Sequence, residues 1–507
     1  MLIHDLLGQS AQKHDDRQAV WYKDAWMTYG ELEERSNRLA NFLIEAGVQR
    51  GDRVAILYEN SFNYIICYYG TLKTGAIAVP LNTDVTVAAL SYYLNHSGAR
   101  VLLTNHRFVR FVGPAAQDAP SLDHIILECE TLPEFEGNFG GARSRLQDIL
   151  EQTPAAEPMA RVIDIDPAVI IYTSGSTGQP KGVLLSHLNV VSNTTSIVEY
   201  LQLTRDDRIM VTLPFYYIYG QSLLTTHCLV GGSVVVDNQF LFPKLILQTM
   251  QRTEVTGFSG VPSTFMRLLH RSAVRETRFD SLRYVTQAGG HMAPAIRQQV
   301  AEAFAPAQLY IMYGATEAAP RLTYLEPERL SDKLASIGRA IPNVEVRVVD
   351  EEGQAVPPHQ TGEIVARGSN IMMGYWHDPE ATREVLHDGY YHTGDLGQVD
   401  EDGYLFVVGR LKDIIKANGY RVSAREVEDA LLEIDGVVEA AVTAVEDETT
   451  GEAIKAHLVW NSAEPAALES IRRRLKGKLP DYKIPRHVAF LDSLPKNESG
   501  KIMKGEL

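Results

Sequence analysis

The stretch Tyr172-Thr-Ser-Gly-Ser-Thr-Gly-Gln-Pro-Lys-Gly182 decides how the rest of the chain is read. It follows the apolar run Ala168–Ile171, which predicts a strand, and it concentrates glycines and small hydroxyl residues ahead of a lysine. Glycine lets successive backbone N–H groups turn toward phosphate oxygens, and Lys181 adds a positive charge. The loop is not a Walker A loop. Gly182 follows Lys181 where a P-loop places Ser or Thr. A P-loop kinase or ATPase is therefore disfavoured, while a strand-to-loop phosphate site remains.

Working outward, the segments before this loop alternate in period. Thr28-Tyr-Gly-Glu31 forms a capping box, Leu32, Leu39, Phe42, Leu43 and Ala46 share one helical face, and Gly47 ends the helix. Val54–Tyr58 predicts a strand, Ser61 to Thr74 a helix closed by Gly75, and Ala76–Val79 and Val101–Leu103 further strands. This alternation predicts an α/β fold with largely parallel sheets covered on both faces. The Gly-, Pro- and charge-rich stretch from Thr131 to Asp166 predicts a long connection or a sheet-to-sheet crossing, not a domain break. The last hundred residues differ: a helix at Glu426–Glu433, strands at Val437–Val445, Ala453–Trp460 and His487–Leu491, and a basic helix near Ala467–Lys478. They predict a compact α+β unit joined to the large domain at Gly409-Arg-Leu-Lys-Asp413. The expected division is 1–409, a hinge at 410–413, and 414–507.

Bulk properties bound the function. A chain of 507 residues suits a large domain plus a smaller one. A formal net charge of −16 opposes nucleic-acid phosphate and anionic lipid, so neither is expected as a partner. Cys67, Cys129 and Cys228 lack metal-ligand spacing and are read as reduced thiols of a cytoplasmic protein. The N-terminus has no signal-peptide pattern, and no apolar run is long enough to span a membrane.

The Tyr172–Gly182 string resembles the phosphate-binding signature of the acyl-adenylate-forming superfamily: acyl- and aryl-CoA synthetases, peptide-synthetase adenylation domains and firefly luciferase. Four further segments are similar to that superfamily's signatures, in its order. They are Tyr313-Gly-Ala-Thr-Glu317 (nucleotide and magnesium), Tyr391-His-Thr-Gly-Asp395 (ribose), Gly409 through Gly419 (hinge) and Leu494-Pro-Lys-Asn-Glu-Ser-Gly-Lys501 (C-terminal lysine). The resemblance covers nearly the whole chain. It implies a large domain of layered sheets and helices, a small mobile C-terminal domain, and ATP, Mg²⁺ and a thiol as reactants.

The resemblance also implies residue roles. Thr173, Ser174, Gly175, Ser176 and Gly178 cradle phosphate, with Thr177 and Lys181 acting on it. Tyr313 offers an aromatic face to adenine opposite Gly289-Gly290, with Gly314 beside it. Thr316 and Glu317 supply hard oxygens, and the Glu317 carboxylate suits magnesium. Asp395 accepts the ribose hydroxyls, and Arg410 adds a donor there. Lys501 is the adenylation lysine, bridging carboxylate and α-phosphate where negative charge accumulates. For the second step the small domain turns about Lys412, Lys416 moves to the site, and the hairpin at Gly419 lines the thiol tunnel.

Departures from the family pattern narrow the substrate. Tyr217 stands where many CoA synthetases have histidine, keeping an aromatic gate but losing a group that titrates near neutrality. Ile218 replaces the aspartate that pairs an α-ammonium group, which disfavours amino acids. Ile311 replaces a common amide, and Ala424 a common proline. Phe258, Gly260, Val261, Ala318 and Arg321 are expected to surround the acyl chain, while Arg321 and His291 are read either as meeting a polar or anionic group or as facing solvent.

The leading reading is a carboxylate–CoA ligase: a small carboxylic acid and ATP give acyl-AMP and pyrophosphate, and the acyl group passes to coenzyme A. A stand-alone ligase that loads a carrier-protein phosphopantetheine shares the first half-reaction. A luciferase-like oxygenase and a non-catalytic nucleotide binder are the remaining alternatives.

Overall fold

The computed structural model describes residues 1–134, 139–173, 179–239, 242–417, 420–447, 451–461, 467–496 and 502–507. Two helices explain the layering. Phe62–Lys73 and Ile218–Val230 are buried on nearly every side, as expected of helices enclosed by other layers. With Ile3–Lys13, Tyr29–Glu45 and His187–Leu201 they form a central helical layer. One core joins that layer to Val54, Ile56, Ile171 and Val183 of one sheet and to Ile209, Val211, Val234 and Met312 of another.

The eight-stranded sheet runs Gly374–Tyr375, Lys181–Ser186, Pro167–Thr173, Ile77–Pro80, Arg53–Leu57, Val101–Asn105, His124–Glu128, Ala142–Arg145. Its strands are parallel from Pro167–Thr173 onward and antiparallel across the hairpin that holds the phosphate-loop sequence. The nine-stranded sheet has a parallel centre, including Arg208–Val211, Gly257–Gly260, Tyr284–Gln287 and Gln308–Tyr313. The helices Val87–Ser97 and Val109–Gln117 cover the outer face of the first sheet. Pro243–Arg252, Pro262–Arg271 and Pro294–Phe304 cover that of the second. Both sheets are thus clothed on two sides, which is why their strands read as continuous apolar runs.

An antiparallel sheet of Val344–Val349, Gly362–Gly368, Tyr390–Val399, Leu405–Arg410 and Leu386–His387 follows. The last sheet, with strands Ile414–Ala417, Tyr420–Ser423, Val437–Asp447, Gly451–Trp460 and His487–Leu491, carries its own core with the helices Ala424–Leu432 and Leu468–Leu475. This is the small C-terminal domain beside the large N-terminal one. The helix Tyr29–Glu45 has the expected capping box, with Thr28 Oγ1 accepting from Glu31 N and Thr28 N donating to Glu31 Oε2. Within the stretch from Thr131 to Asp166 lie a strand, Ala142–Arg145, and a helix, Leu146–Gln152. The strand is short, exposed and on a sheet edge, so it has no apolar alternation to betray it.

The N-terminal helix is tied down by a histidine pair. Ile3 N donates to Nδ1 of the buried His187, whose ring stands edge-on to His4. Burial lowers both imidazoles to about 3, helped at His4 by Lys73 and at His187 by His4. Between that value and 6.5 the unfolded chain therefore binds more protons than the folded one, so stability falls as pH drops through this window. A melting temperature that declines from pH 6.5 to 4, and declines less in His4→Gln, is the expected result.

Candidate active site

In parallel sheets, ligands bind beyond the carboxyl ends of the strands. Here those ends deliver Val261 after Gly257–Gly260, Gly289 and Gly290 after Tyr284–Gln287, and Gly314 to Glu317 after Gln308–Tyr313. Gly289 has φ +80°, and a Cβ on it meets Val261 Cγ1 at 2.9 Å. Gly314 admits no side chain, because a Cβ there comes within 1.9 Å of the Pro320 carbonyl oxygen. Thr316 and Glu317 then sit on a single tight turn, Thr316–Ala318.

Glu317 is joined to the phosphate-loop hairpin by a residue that the sequence motifs do not contain. Gly374–Tyr375 adds to the edge of Lys181–Ser186, with Tyr375 opposite Val183. From there the Tyr375 hydroxyl donates to Glu317 Oε1 at 2.8 Å, and Lys181 Nζ lies 5.0 Å from the centre of the Tyr375 ring. The Met372 amide donates to the Glu317 carbonyl. Burial and the Glu317 charge push the Tyr375 phenol up, so it stays a donor. Tyr375 had no spacing signal, since its role follows from a two-residue strand that returns to the first sheet.

Asp395 lies 8 % exposed on Tyr390–Val399, directly opposite Arg410 on the neighbouring strand. Its Oδ1 accepts from Arg410 Nε and its Oδ2 from the Tyr313 hydroxyl, each at 2.7 Å. A carboxylate oxygen has two acceptor directions, so both retain capacity for a further donor. Burial, then the Asp395 charge, raises the Tyr313 phenol far above its ordinary value. The residues expected at adenine and ribose thus converge from three separate segments. Asp395→Asn removes the charge that Arg410 faces, and the expected outcome is an ATP dissociation constant weakened about 10- to 100-fold, read by calorimetry, with the fold retained.

The expected acyl pocket is corrected in part. Phe258 has no accessible surface and packs against Phe265 and Phe304 on the far side of the sheet. A Cβ on Gly260 points the same way, toward Thr264 and Phe265. Strand alternation sends Phe258 and Gly260 to one face and Ser259 and Val261 to the other. Ala318 is also without accessible surface and buries its methyl with Leu322 and Ala366. Tyr217 is half-buried beside Tyr216, at the start of Ile218–Val230. Arg321 is buried against Tyr219, with its guanidinium carbon 4.1 Å from the ring centre. Two buried asparagines, also missed in the sequence, pin this loop: Asn193 and Asn370 both donate to the carbonyls of Ala318 and Arg321.

His291 does not face solvent but meets the small domain. Its Nε2 lies 2.5 Å from Asp429 Oδ1, and Arg425 donates to its Nδ1. Burial, opposed by the Asp429 hydrogen bond, lowers the imidazole to about 4, so the ring is neutral at pH 7. Lys412 lies exposed on the short turn Leu411–Asp413. Thr173 ends its strand at the phosphate loop. Ser174, Gly175, Ser176, Thr177, Gly178, Gly419 and Lys501 lie outside the described residues, as does the Lys416 side chain.

Magnesium fits what is present. Glu317 is a partly exposed carboxylate with Oε1 held by a phenol, next to Thr316, and Mg²⁺ typically takes one or two carboxylates plus substrate phosphates.

Comparison with known proteins agrees with this geometry. Residues 7–376 match the AMP-binding enzyme family and residues 426–501 the AMP-binding enzyme C-terminal domain. The feruloyl-CoA synthase of an Amycolatopsis species is 35% identical, over 96% of this chain and 95% of its own. The anthranilate CoA ligase AuaEII in complex with anthranoyl-AMP superposes with a TM-score of 0.91 at 26% identity, covering 100% of this chain and 96% of that one. The O-succinylbenzoate coenzyme A synthetase MenE of Bacillus subtilis, in complex with ATP and magnesium ion, gives 0.84 at 28% identity, covering 99% and 98%. The chain belongs to the AMP-binding enzyme family and is an ATP-dependent, AMP-forming acid–thiol ligase.

Proposed function

We propose that the protein activates a small carboxylic acid as its acyl adenylate and transfers the acyl group to coenzyme A. The observation that carries this is the convergence of Lys181, Tyr375 and Glu317 on one side and Tyr313, Asp395 and Arg410 on the other. One group suits the polyphosphate and the other the nucleoside. Magnesium, when bound, neutralises charge on the departing pyrophosphate.

Asp395 holds the ribose hydroxyls while Tyr313 and Arg410 fix its carboxylate. Gly289 and Gly290 leave room for adenine against Tyr313. Lys181 and the phosphate loop, with Ser174, Gly175, Ser176, Thr177 and Gly178, hold the β- and γ-phosphates. A carboxylate oxygen of the acid attacks the α-phosphorus, a P–O bond forms, and the bond to pyrophosphate breaks. Lys501 offsets the charge that builds between the two anions. The small domain, 414–507, then turns about 410–413, bringing Lys416 and Gly419 toward the site. The thiolate attacks the acyl carbon, and AMP leaves.

Coenzyme A is favoured over a carrier-protein phosphopantetheine because the feruloyl, anthranilate and O-succinylbenzoate enzymes are all CoA ligases. ATP and coenzyme A as cosubstrates accord with a cytoplasmic protein. Among the described residues no helix is long and apolar enough to cross a membrane. The test is ATP–pyrophosphate exchange against a panel of aliphatic, aromatic, hydroxy and amino acids, followed by thioester formation with CoA and with a holo carrier protein. Exchange with a non-amino acid and thioester with CoA support the reading. Exchange with amino acids alone, or loading of the carrier alone, overturns it.

A further inference from the structure

Among the described residues two arginines are almost completely buried, and they are satisfied differently. Arg297, 2 % exposed, donates to the carbonyls of Met292, Leu334 and Ser336 at 2.6 to 2.8 Å. Its charge is spent on bracing backbone. Arg321, 3 % exposed, has no such set. Its Nε faces Met312 Sδ at 3.3 Å, its guanidinium lies over the Tyr219 ring, and the phenols of Tyr200 and Tyr219 are its other partners. All four are neutral groups. Among the described residues no carboxylate forms an ion pair with Arg321 within 4.0 Å. A buried cation without an anion is costly, and it persists where an anion arrives to meet it.

The position of Arg321 says which anion. Its backbone is fixed, since its carbonyl accepts from Asn193 and Asn370 at 2.9 Å each and its amide donates to Asn193 Oδ1. The residue lies four positions beyond Glu317, at the far end of the loop that begins at the nucleotide. Tyr219, beneath its guanidinium, reaches the nucleotide-side wall: a Cβ on Gly289 lies 3.9 Å from Tyr219 Cδ1. Val261 and Tyr219 are thus the apolar neighbours of Gly289, and Arg321 lies over the Tyr219 ring with Tyr200 and Met312 beside it. The carboxylate that is adenylated stays near the phosphates. A second anionic group on the same acid is what Arg321 is placed to take.

We propose that Arg321 is a specificity-determining residue that binds a distal carboxylate, so that the preferred substrates are dicarboxylic acids with an aliphatic or aromatic spacer. This rests on the carboxylate–CoA ligase reading above.

The experiment uses matched pairs differing only by the second carboxylate: hexanoate with adipate, benzoate with terephthalate, and 3-phenylpropanoate with 3-(4-carboxyphenyl)propanoate. Each acid is assayed by ATP–pyrophosphate exchange and by thermal shift, on the wild type, Arg321→Met and Arg321→Lys. In at least one pair the wild type should favour the diacid by about a hundred-fold in kcat/KM, chiefly through KM, and that diacid alone should raise Tm. Arg321→Met should reverse the order and abolish the shift, while Arg321→Lys keeps part of both. A Tm change in Arg321→Met with the pair ratio intact identifies a purely structural arginine and overturns the proposal. So does a wild type that prefers the monoacid in every pair, which leaves the ligase reading standing. If no acid supports exchange the ligase reading fails, and the absence of any diacid-specific, Arg321-dependent Tm shift then overturns this proposal independently.

Discussion

Glu317→Gln lowers ATP–pyrophosphate exchange by about 10²–10³-fold while leaving the melting temperature within a few degrees of wild type. The substitution keeps the shape of the side chain and an oxygen that accepts from the Tyr375 hydroxyl, so the link between the two sheets survives. What it removes is the formal charge. An amide is a poor ligand for a hard dication, and magnesium is required where pyrophosphate departs. The half-saturating magnesium concentration should therefore rise along with the fall in rate. Tyr375→Phe separates the two contributions, because it deletes the hydrogen bond and keeps the ring under Lys181. A loss of a few fold is expected there. An unchanged rate in Glu317→Gln would remove Glu317 from the proposed metal site.

Lys501→Ala abolishes adenylate formation to about the same extent, 10²–10³-fold, but leaves the second half-reaction largely intact. Two anions meet in the first transition state, and a cation between them is needed only there. Transfer from a preformed, chemically supplied acyl adenylate to CoA has no such requirement. The measurement is single-turnover thioester formation from acyl-AMP beside exchange on the same preparation. Equal loss in both assays would mean that the lysine supports the fold of the small domain instead. Lys496, which pairs with Ile502 and with Glu439, is the control for that possibility, since it bonds within the small domain.

The sequence motifs were informative where chemistry constrains spacing. Tyr313, Glu317, Asp395 and Arg410 could be assigned roles because their segments resemble the superfamily's signatures, and the structure brings Tyr313, Asp395 and Arg410 into contact. Phe258 was misplaced because a motif quoted as a string ignores alternation, and its neighbour Val261 faces the opposite way. Tyr375, Asn193 and Asn370 carried no signal, because each acts through a long-range hydrogen bond and has an unexceptional local context. The edge strand Ala142–Arg145 was hidden by its polarity. His291 was read as a pocket residue, yet its partners lie well over a hundred residues away on another domain, a separation that no local pattern encodes.

The pairing of Asp395 with Arg410 has a consequence for timing. Arg410 is the last residue of its strand and the first of the proposed pivot, and its guanidinium is clamped to the carboxylate proposed to engage ribose. On the proposed roles, nucleotide and pivot share one anchor, so the small domain would take its bearing from the occupant of the ribose site. A clutch of this kind would keep rotation in step with turnover: the bound adenylate steadies the axle during the swing, and departure of AMP frees it for the return stroke.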